Sequence, residues 1–132
     1  NDLSYKIIGA AIEVHKVLGG PGLLESVYES ALCHELLLQG LQIQTQVPLN
    51  VIYKGCKIRE PLYLDILVEN KIIIEIKATE KEYPIHSVQL LTYLRLTRHE
   101  LGLLINFGNK QVKNGVERII NDKSPCLRVS VF

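Results

Sequence analysis

The chain has 132 residues, of which 47% are hydrophobic and 22% are charged, which is enough for one compact domain with a buried core and too few for two ordinary domains. Its formal net charge of +1 gives the chain no overall basic character of the kind usual in nucleic-acid-binding domains, so any binding of phosphate must be local. No apolar run approaches the ~20 residues of a membrane-spanning helix, and the N-terminus lacks a signal-peptide pattern. We therefore expect a single domain over residues 1–132 in a cytoplasmic protein with no membrane partner.

The cysteines indicate neither a metal site nor a disulfide framework. Cys33, Cys56 and Cys126 are odd in number and widely spaced, without the paired spacing that either kind of site requires. We predict reduced and mostly buried thiols.

Two amphipathic helices are predicted in the first part of the chain. From Ser4 to Leu18, apolar residues recur at helical spacing. The glycine-rich run 19–22 then ends this helix, because glycine tolerates a left-handed cap and proline cannot continue the hydrogen-bond ladder. A second helix is predicted from Leu23 to Gln39. Its predicted apolar side consists of Leu24, Val27, Tyr28, Ala31, Leu32 and Leu36.

The pattern then changes to that of strands. Ile43, Thr45 and Val47 alternate with glutamines, which is typical of an edge strand with one solvated face. Segments 49–53 and 56–59 flank a Lys-Gly pair and predict a tight hairpin. The next two segments are almost continuously apolar, as strands buried on both faces are, and should lie centrally in the sheet. They are Leu62–Val68 and Ile72–Lys77.

The last part of the chain predicts a third helix over Ile85–Thr97, with Pro84 preset for its first turn. Leu101–Asn106 predicts another buried strand, Gly115–Ile120 a strand or a short helix, and Cys126–Val131 a terminal strand. The order of elements indicates helices that cover a mixed sheet, in an α/β or α+β arrangement. The inward-facing residues of the third helix are predicted to be Val88, Leu91 and either Leu94 or Leu96.

Two carboxylates interrupt the most apolar stretch of the chain. If the turn between the two central strands centres on Asn70, antiparallel pairing places Asp65 directly opposite Glu75 on one face of the sheet. Like charges at such a pair destabilise a sheet, and burial raises their pKa. A divalent cation would remove both penalties.

Lys77 and the main chain of Ile76 add to this pair. Lys77 points to the same face as Glu75, whereas Ile76 points to the other face and leaves its carbonyl oxygen near the carboxylates. Hard oxygen donors suit Mg²⁺ or Mn²⁺. The spacing alone is equally compatible with a structural arrangement, in which Lys77 neutralises one carboxylate and solvent hydrates the other.

Several motifs resemble one known family. Asp65 followed by Glu75–Lys77 resembles the (P)D…(D/E)XK signature of the restriction-endonuclease-like superfamily, and segment 22–28 resembles the motif that names the GxxExxY protein family, a bacterial and archaeal branch of it. Segments 8–15 and 103–108 are also similar to that family. Within segment 86–94, Gln89 and Tyr93 are similar to the QxxxY element of RecB-like nucleases. The resemblance runs from about Leu3 to Asn121.

The resemblance implies a restriction-endonuclease-like α/β fold, a mixed sheet flanked by helices, that binds Mg²⁺ or Mn²⁺. Asp65, Glu75 and the Ile76 carbonyl would bind the metal, and Lys77 would position or help to deprotonate the attacking water. Glu25 would add a further carboxylate; the alternative is a helix-surface glutamate beside a core tyrosine.

Two alternative roles are open for the polar side chains of the third helix. Gln89 and Tyr93 lie one helical turn apart. They would orient Lys77 or touch nucleic acid, or would form a polar edge on a packing helix. His86 is a secondary candidate, and the other histidines, which have no partners at metal-ligand spacing, are predicted to be structural.

The chain departs from the family's pattern just before Asp65, where a small residue, often preceded by an arginine, is expected. Leu64 and Tyr63 occupy these positions. Their bulk is expected to narrow the site, and the missing arginine to weaken a phosphate contact.

Two functions remain open. The first is a divalent-metal-dependent nuclease that acts on DNA or RNA, in which a homo-oligomer or a partner protein could supply the binding surface that the near-neutral charge leaves unexplained. The second is a catalytically inactive binding or assembly module with the same fold. A small-molecule enzyme of unrelated type is less favoured, since no phosphate-binding glycine loop after a strand, nucleophile elbow or Cys/His pair occurs.

Overall fold

A five-stranded mixed sheet forms the centre of the structure, a computed structural model that describes residues 1–122. Its elements are α1 (Asp2–Val17), α2 (Glu25–Leu38), β1 (Ile43–Leu49), β2 (Ile52–Tyr53), β3 (Cys56–Lys57), β4 (Leu62–Val68), β5 (Ile72–Lys77), α3 (Pro84–Thr97), β6 (Leu101–Asn106) and β7 (Val116–Ile120). The strand order is β1–β4–β5–β6–β7, with β5 and β6 parallel and the other neighbours antiparallel. The predicted α/β class, a mixed sheet flanked by helices, is confirmed.

Two apolar cores cover the two faces of the sheet. In the first core, Ile7 of α1 and Tyr28 of α2 pack with Ile74 of β5. In the second, Leu90 of α3 packs with Ile73 of the same strand. Because β5 is buried on both faces, its sequence is almost continuously apolar, as predicted for a central strand. Glu75 is therefore surrounded by the protein interior.

The buried side of α2 is narrower than its sequence pattern predicts. Tyr28, Leu32 and Leu36 form a stripe at every fourth residue and are fully buried. Leu24 precedes the first turn as the N-cap residue, and it is exposed, as is Val27. The helix packs on α1, β1 and β5, and Ala31 is partly buried against the first core, as predicted. The prediction that Leu24 and Val27 face the core is wrong.

The buried side of α3 also differs from the prediction. Leu90, Tyr93 and Leu94 are its buried residues, whereas Val88 and Leu96 are exposed. The helix packs on β6 and β7, and spacing of three and four residues selects the first three for that contact. Leu91 is partly buried against the same core, as predicted.

β1 is an edge strand, as predicted, but its inward face changes along its length. Ile43 packs against the first core, whereas Val47 packs against the second, and Thr45 is exposed. Gln46 has a left-handed φ of 49°, a backbone conformation outside the strand region, which changes the face toward which the following side chains point. The simple alternation predicted for β1 is therefore wrong.

The predicted hairpin is present but short, as a two-stranded sheet of β2 and β3. Lys54 and Gly55 both have positive φ values, 49° and 80°, the requirement of the tight turn that the Lys-Gly pair predicts. Cys56 in β3 is exposed and Cys33 is half-buried, so the prediction of mostly buried thiols is wrong for Cys56.

The uncertain segment 115–120 is resolved in favour of a strand. A 3-10 turn, Val112–Gly115, leads into β7, which pairs with β6. Cys126 and the predicted strand 126–131 lie outside the described residues. None of the helices within residues 1–122 has the length and apolar character that crossing a membrane requires.

Candidate active site

The two predicted metal-binding carboxylates meet where β4 and β5 separate. The strand ladder ends at the pair Ile66–Ile74, one step before Asp65 and Glu75, in the predicted register. The main-chain N–H of Asp65 donates to Oε1 of Glu75 (3.2 Å), and that of Ile76 donates to Oδ2 of Asp65 (2.8 Å). Side-chain hydrogen bonds thus join the strands at this point in place of the ladder.

Glu75 carries the strongest electrostatic penalty in the site. Its side chain is only 7% exposed. Burial, and then the Asp65 carboxylate, raise the pKa of Glu75 to about 8, while the Lys77 ammonium opposes this rise. The carboxyl group therefore favours its protonated form at neutral pH when no cation is present, which is the penalty expected for adjacent buried carboxylates.

Glu25 and Lys77 belong to the same electrostatic cluster. Burial raises the pKa of Glu25, Lys77 lowers it, and Asp65 raises it. The first turn of α2 thus lies beside the end of β5. Glu25 is an exposed residue that lies close enough to Lys77 and Asp65 for their charges to act on it, and its role in the site stays a prediction.

Sequence reasoning missed two further members of this cluster, Glu29 and Gln46. Nε2 of Gln46 donates to Oε2 of Glu29 (2.9 Å) and lies 3.5 Å from Oδ1 of Asp65. Burial raises the pKa of Glu29, and the hydrogen bond from Gln46 lowers it. Glu29 follows Glu25 by four residues and so shares its helix face, a signal that could have identified it. The sequence holds no comparable signal for Gln46.

Tyr93 approaches the carboxylates from the α3 face of the sheet. Burial raises the pKa of Tyr93, and Glu75 and Asp65 raise it further, so its hydroxyl stays protonated at neutral pH and is available as a donor. Gln89 is exposed and makes no side-chain hydrogen bond within residues 1–122. Of the two residues predicted as a pair, Tyr93 thus belongs to the cluster, whereas a role for Gln89 stays a prediction.

Arg59 supplies a positive charge near the site, whereas the chain lacks the arginine that the family pattern has just before Asp65. It lies close enough to Tyr93 to lower the pKa of that side chain, and its Nε donates to the carbonyl of Glu60 (2.9 Å). Leu64 is buried in the second core. Its bulk fills the core and does not narrow the site, contrary to expectation.

A groove of about 760 Å³ opens beside Lys77, between the start of α3 and β7. His86 lines it, with the exposed Tyr83 ring edge-on at 5.6 Å. Burial and Lys77 lower the pKa of His86, so its imidazole is neutral at neutral pH. The groove gives Lys77 access to a ligand.

Tyr28, the tyrosine of the GxxExxY-like segment, has a structural role. Its hydroxyl donates to the carbonyl of Gly20 (2.7 Å) and accepts from the N–H of Leu23 (3.2 Å). Its ring stacks on Phe107 at 4.6 Å, and the predicted structural residue His15 lies 3.1 Å from the Phe107 carbonyl oxygen through Nε2. Tyr28 therefore holds the glycine-rich loop that precedes Glu25.

The donor set fits a hard divalent cation. Asp65 and Glu75 are adjacent carboxylates whose repulsion a cation would relieve. Within the described part of the chain, no three His, Cys, Asp or Glu side chains are grouped closely enough to hold an ion by themselves. Mg²⁺ commonly uses one or two carboxylates and completes its shell with water and substrate phosphate, so two carboxylates are sufficient for this type of site.

Comparison with known protein families identifies a superfamily for the chain. Residues 1–119 match the family model of the PD-(D/E)XK nuclease superfamily. No curated protein sequence matches the chain. Among solved structures, the crystal structure of SSO0001 is similar with a TM-score of 0.48 and 17% sequence identity, over 99% of this chain and 83% of that chain. On the sequence match alone, the chain belongs to the PD-(D/E)XK nuclease superfamily.

Proposed function

We propose that the protein is a divalent-metal-dependent nuclease that hydrolyses phosphodiester bonds of DNA or RNA, and that it belongs to the GxxExxY branch of its superfamily. The observation that carries this proposal is the contact between Asp65 and Glu75 at the point where two central strands separate, with Lys77 two residues further along β5. An acidic pair with one member buried and the other half-buried is unfavourable for a purely structural sheet.

Each residue of the cluster has a proposed task. Asp65, Glu75 and the main-chain carbonyl of Ile76 would hold Mg²⁺ or Mn²⁺. When bound, the ion supplies Lewis-acid stabilisation of the charge that develops on the phosphate. Lys77 Nζ holds the attacking water and assists its deprotonation, since it lies beside the carboxylates and opens to the groove at α3.

The remaining side chains orient these groups. Glu25 would balance the charge of Lys77, which lies near enough to lower the pKa of Glu25. Tyr93, whose pKa is raised by burial and by the charges of Glu75 and Asp65, would help to orient the groups of the site. Gln89, which is exposed on α3, would contact nucleic acid outside the metal site. A cytoplasmic location, a single domain over residues 1–132 and a homo-oligomeric state remain predictions of the sequence.

The direct test is hydrolysis of labelled DNA and RNA in the presence of Mg²⁺ or Mn²⁺, with Lys77→Met, Asp65→Asn and Glu75→Gln variants. Each substitution should lower the rate by about 100-fold or more, the usual effect of removing a group that transfers or orients a proton or a metal-bound water. Lys71→Met is the matched control, because Lys71 is exposed at the opposite end of β5. Equal activity of Lys77→Met and the wild type would refute the proposal.

A second function, an inactive binding or assembly module, is favoured by one specific observation. Both carboxylates already accept main-chain hydrogen bonds, and the raised pKa of Glu75 suits a protonated, metal-free group. Isothermal titration of Mn²⁺ into the wild type and an Asp65→Ala, Glu75→Ala variant separates the two functions. Binding that depends on the pair supports the nuclease. If neither protein binds Mn²⁺, with or without a non-hydrolysable nucleic acid, the module is supported.

A further inference from the structure

A second pocket, of about 450 Å³, lies on the α1 face of the molecule and carries a concentration of positive charge. Lys16 from the last turn of α1 meets Lys110 and Lys113 from the segment after β6, and all three side chains are exposed. No aspartate or glutamate is among the described residues that line the pocket. Three cations are thus grouped on a chain whose formal net charge is only +1.

The groove beside Lys77 has a different electrostatic character. It contains one lysine together with the carboxylates of Glu82 and Glu117. The lysine pocket attracts a phosphate chain that approaches the protein, whereas the acidic groups in the groove repel it. Of these two cavities, only the lysine pocket therefore offers the local positive surface that binding of a polyanion requires.

The walls of the lysine pocket are joined to the candidate active site by short contacts. Gly20, in the pocket wall, accepts the hydrogen bond of Tyr28, which lies three residues after Glu25 on α2. His15, which also lines the pocket, contacts the Phe107 carbonyl, and the N–H of Phe107 donates to the carbonyl of Lys77 (2.8 Å). The pocket and the catalytic residues thus lie at the same end of the sheet.

The shape of the pocket also suits a backbone ligand. Gly19 and Gly20 have φ values of 89° and 94°, and a Cβ atom added at either would meet nothing within 4 Å. The loop therefore faces open space without side chains, so a sugar-phosphate chain could approach its main chain. Ammonium groups on flexible stems bind phosphates as point charges, without selecting bases.

We propose that the pocket formed by Lys16, Lys110 and Lys113 binds the phosphate backbone of the nucleic acid next to the cleavage site. The proposal rests on the proposed function for its class of ligand, but binding can be measured without hydrolysis. The pocket supplies a local phosphate-binding surface from within one chain. No partner protein is needed for this contact.

The test is fluorescence anisotropy of a labelled DNA duplex, and of an RNA strand of the same sequence, titrated with the protein in EDTA. The test variant carries Lys16→Gln, Lys110→Gln and Lys113→Gln. The matched control carries Lys6→Gln, Lys71→Gln and Arg95→Gln, which removes the same charge from exposed positions elsewhere. Lys6 lies about 15 Å from Lys16 along α1, at 1.5 Å per residue. Thermal unfolding of both variants establishes that they are folded.

The test variant should bind at least about tenfold more weakly than the control at low salt, because it loses three phosphate contacts. The slope of log K against log salt for the duplex should become less steep by about 3. Equal binding by the two variants, or no binding of DNA or RNA by the wild type, would overturn the proposal. An equal loss of affinity in both variants, relative to the wild type, would also overturn the proposal, since it would mean that binding depends on net charge alone.

The proposed nuclease and the proposed pocket can fail separately. If the wild type binds nucleic acid through the three lysines but hydrolyses nothing with Mg²⁺ or Mn²⁺, the proposed binding pocket is supported and the proposed nuclease activity is refuted. If the triple lysine variant binds and hydrolyses as the wild type does, the nuclease stands and the pocket is refuted.

Discussion

The main-chain N–H of Asp65 donates to Oε1 of Glu75 over 3.2 Å, so that the backbone of one strand holds the buried carboxyl group of the next. An amide oxygen can accept the same hydrogen bond without the charge. In the metal-free protein, above the pKa of Glu75, Glu75→Gln should therefore raise the free energy of unfolding by roughly 1–3 kcal/mol. Urea denaturation in EDTA measures it.

Glu13→Gln is the control for that substitution, because Glu13 is exposed on α1; its effect should stay within about 0.5 kcal/mol. A destabilised Glu75→Gln protein would contradict the expectation. It would mean that an ionised Glu75 is stabilised by Lys77 more than it is penalised by burial and Asp65.

The stability of the metal-free protein should depend on pH through Glu75. Its pKa is about 8 in the folded protein and near 4.5 in the unfolded chain. Between these values the folded state binds the extra proton, so the free energy of unfolding falls as pH rises through this window and levels off above it. Denaturation in EDTA over a pH series should show this decline, and the decline should be smaller in Glu75→Gln. A flat profile in the wild type would contradict the raised pKa.

Gln46 links β1 to the acidic cluster and has a left-handed backbone, with a φ of 49°. Gln46→Gly removes the side-chain contacts with Glu29 and Asp65 but suits that backbone. Glycine relieves the backbone strain of the folded state, which stabilises the protein, and raises the chain entropy of the unfolded state, which destabilises it. Because these two effects nearly cancel, the free energy of unfolding should change by less than about 1 kcal/mol. Affinity for Mn²⁺ should fall about tenfold, as it does when a group that orients a metal ligand is lost.

Lys54→Gly is the matched control for Gln46→Gly, since Lys54 also has a φ of 49° and lies in the β2–β3 turn. It should leave Mn²⁺ affinity unchanged. Titration calorimetry measures both variants. An equal effect of the two substitutions would assign the loss to the backbone and not to the contacts of Gln46.

The hydroxyl of Tyr28 should stabilise the fold by holding the glycine-rich loop. Tyr28→Phe keeps the stacking on Phe107 and loses two partly buried hydrogen bonds. We expect the free energy of unfolding to fall by about 1–2 kcal/mol. Tyr53→Phe, at a side chain that is 59% exposed, should have almost no effect. If Tyr28→Phe is as stable as the wild type, the hydroxyl does not hold the loop.

Arg59 should assist hydrolysis without taking part in metal binding. Its charge acts on Tyr93 beside the carboxylates, so Arg59→Gln should slow cleavage about tenfold, mainly through a higher KM, while Mn²⁺ affinity is preserved. Arg95→Gln at the far end of α3 is the control. An unchanged rate for Arg59→Gln would exclude this role.

Features that depend on neighbours along the chain were predictable. The glycine run after α1, the positive-φ turn at Lys54 and Gly55, and the apolar strands that carry Asp65 and Glu75 are local patterns. The register that sets these carboxylates together follows from the length of the turn between β4 and β5.

Features that depend on which elements pack together were not predictable from one sequence. Spacing predicted Val88 on the inward side of α3, whereas contact with β6 and β7 buries Leu90 and Tyr93 instead. Composition gave no sign of the basic pocket, because Lys16 and Lys113 meet only when the end of α1 packs against the turn before β7.

The sequence by itself determined the acidic pair and its lysine, since these lie within one hairpin, and the class of fold, since this follows from the order of helices and strands along the chain. Only the tertiary structure decided which side chains surround the pair. Gln46 and Asp65 are 19 residues apart, and Tyr93 reaches the carboxylates from the opposite face of the sheet to α2. Contacts of this kind depend on strand order and helix placement, which arise from the packing of the whole core and not from any local pattern.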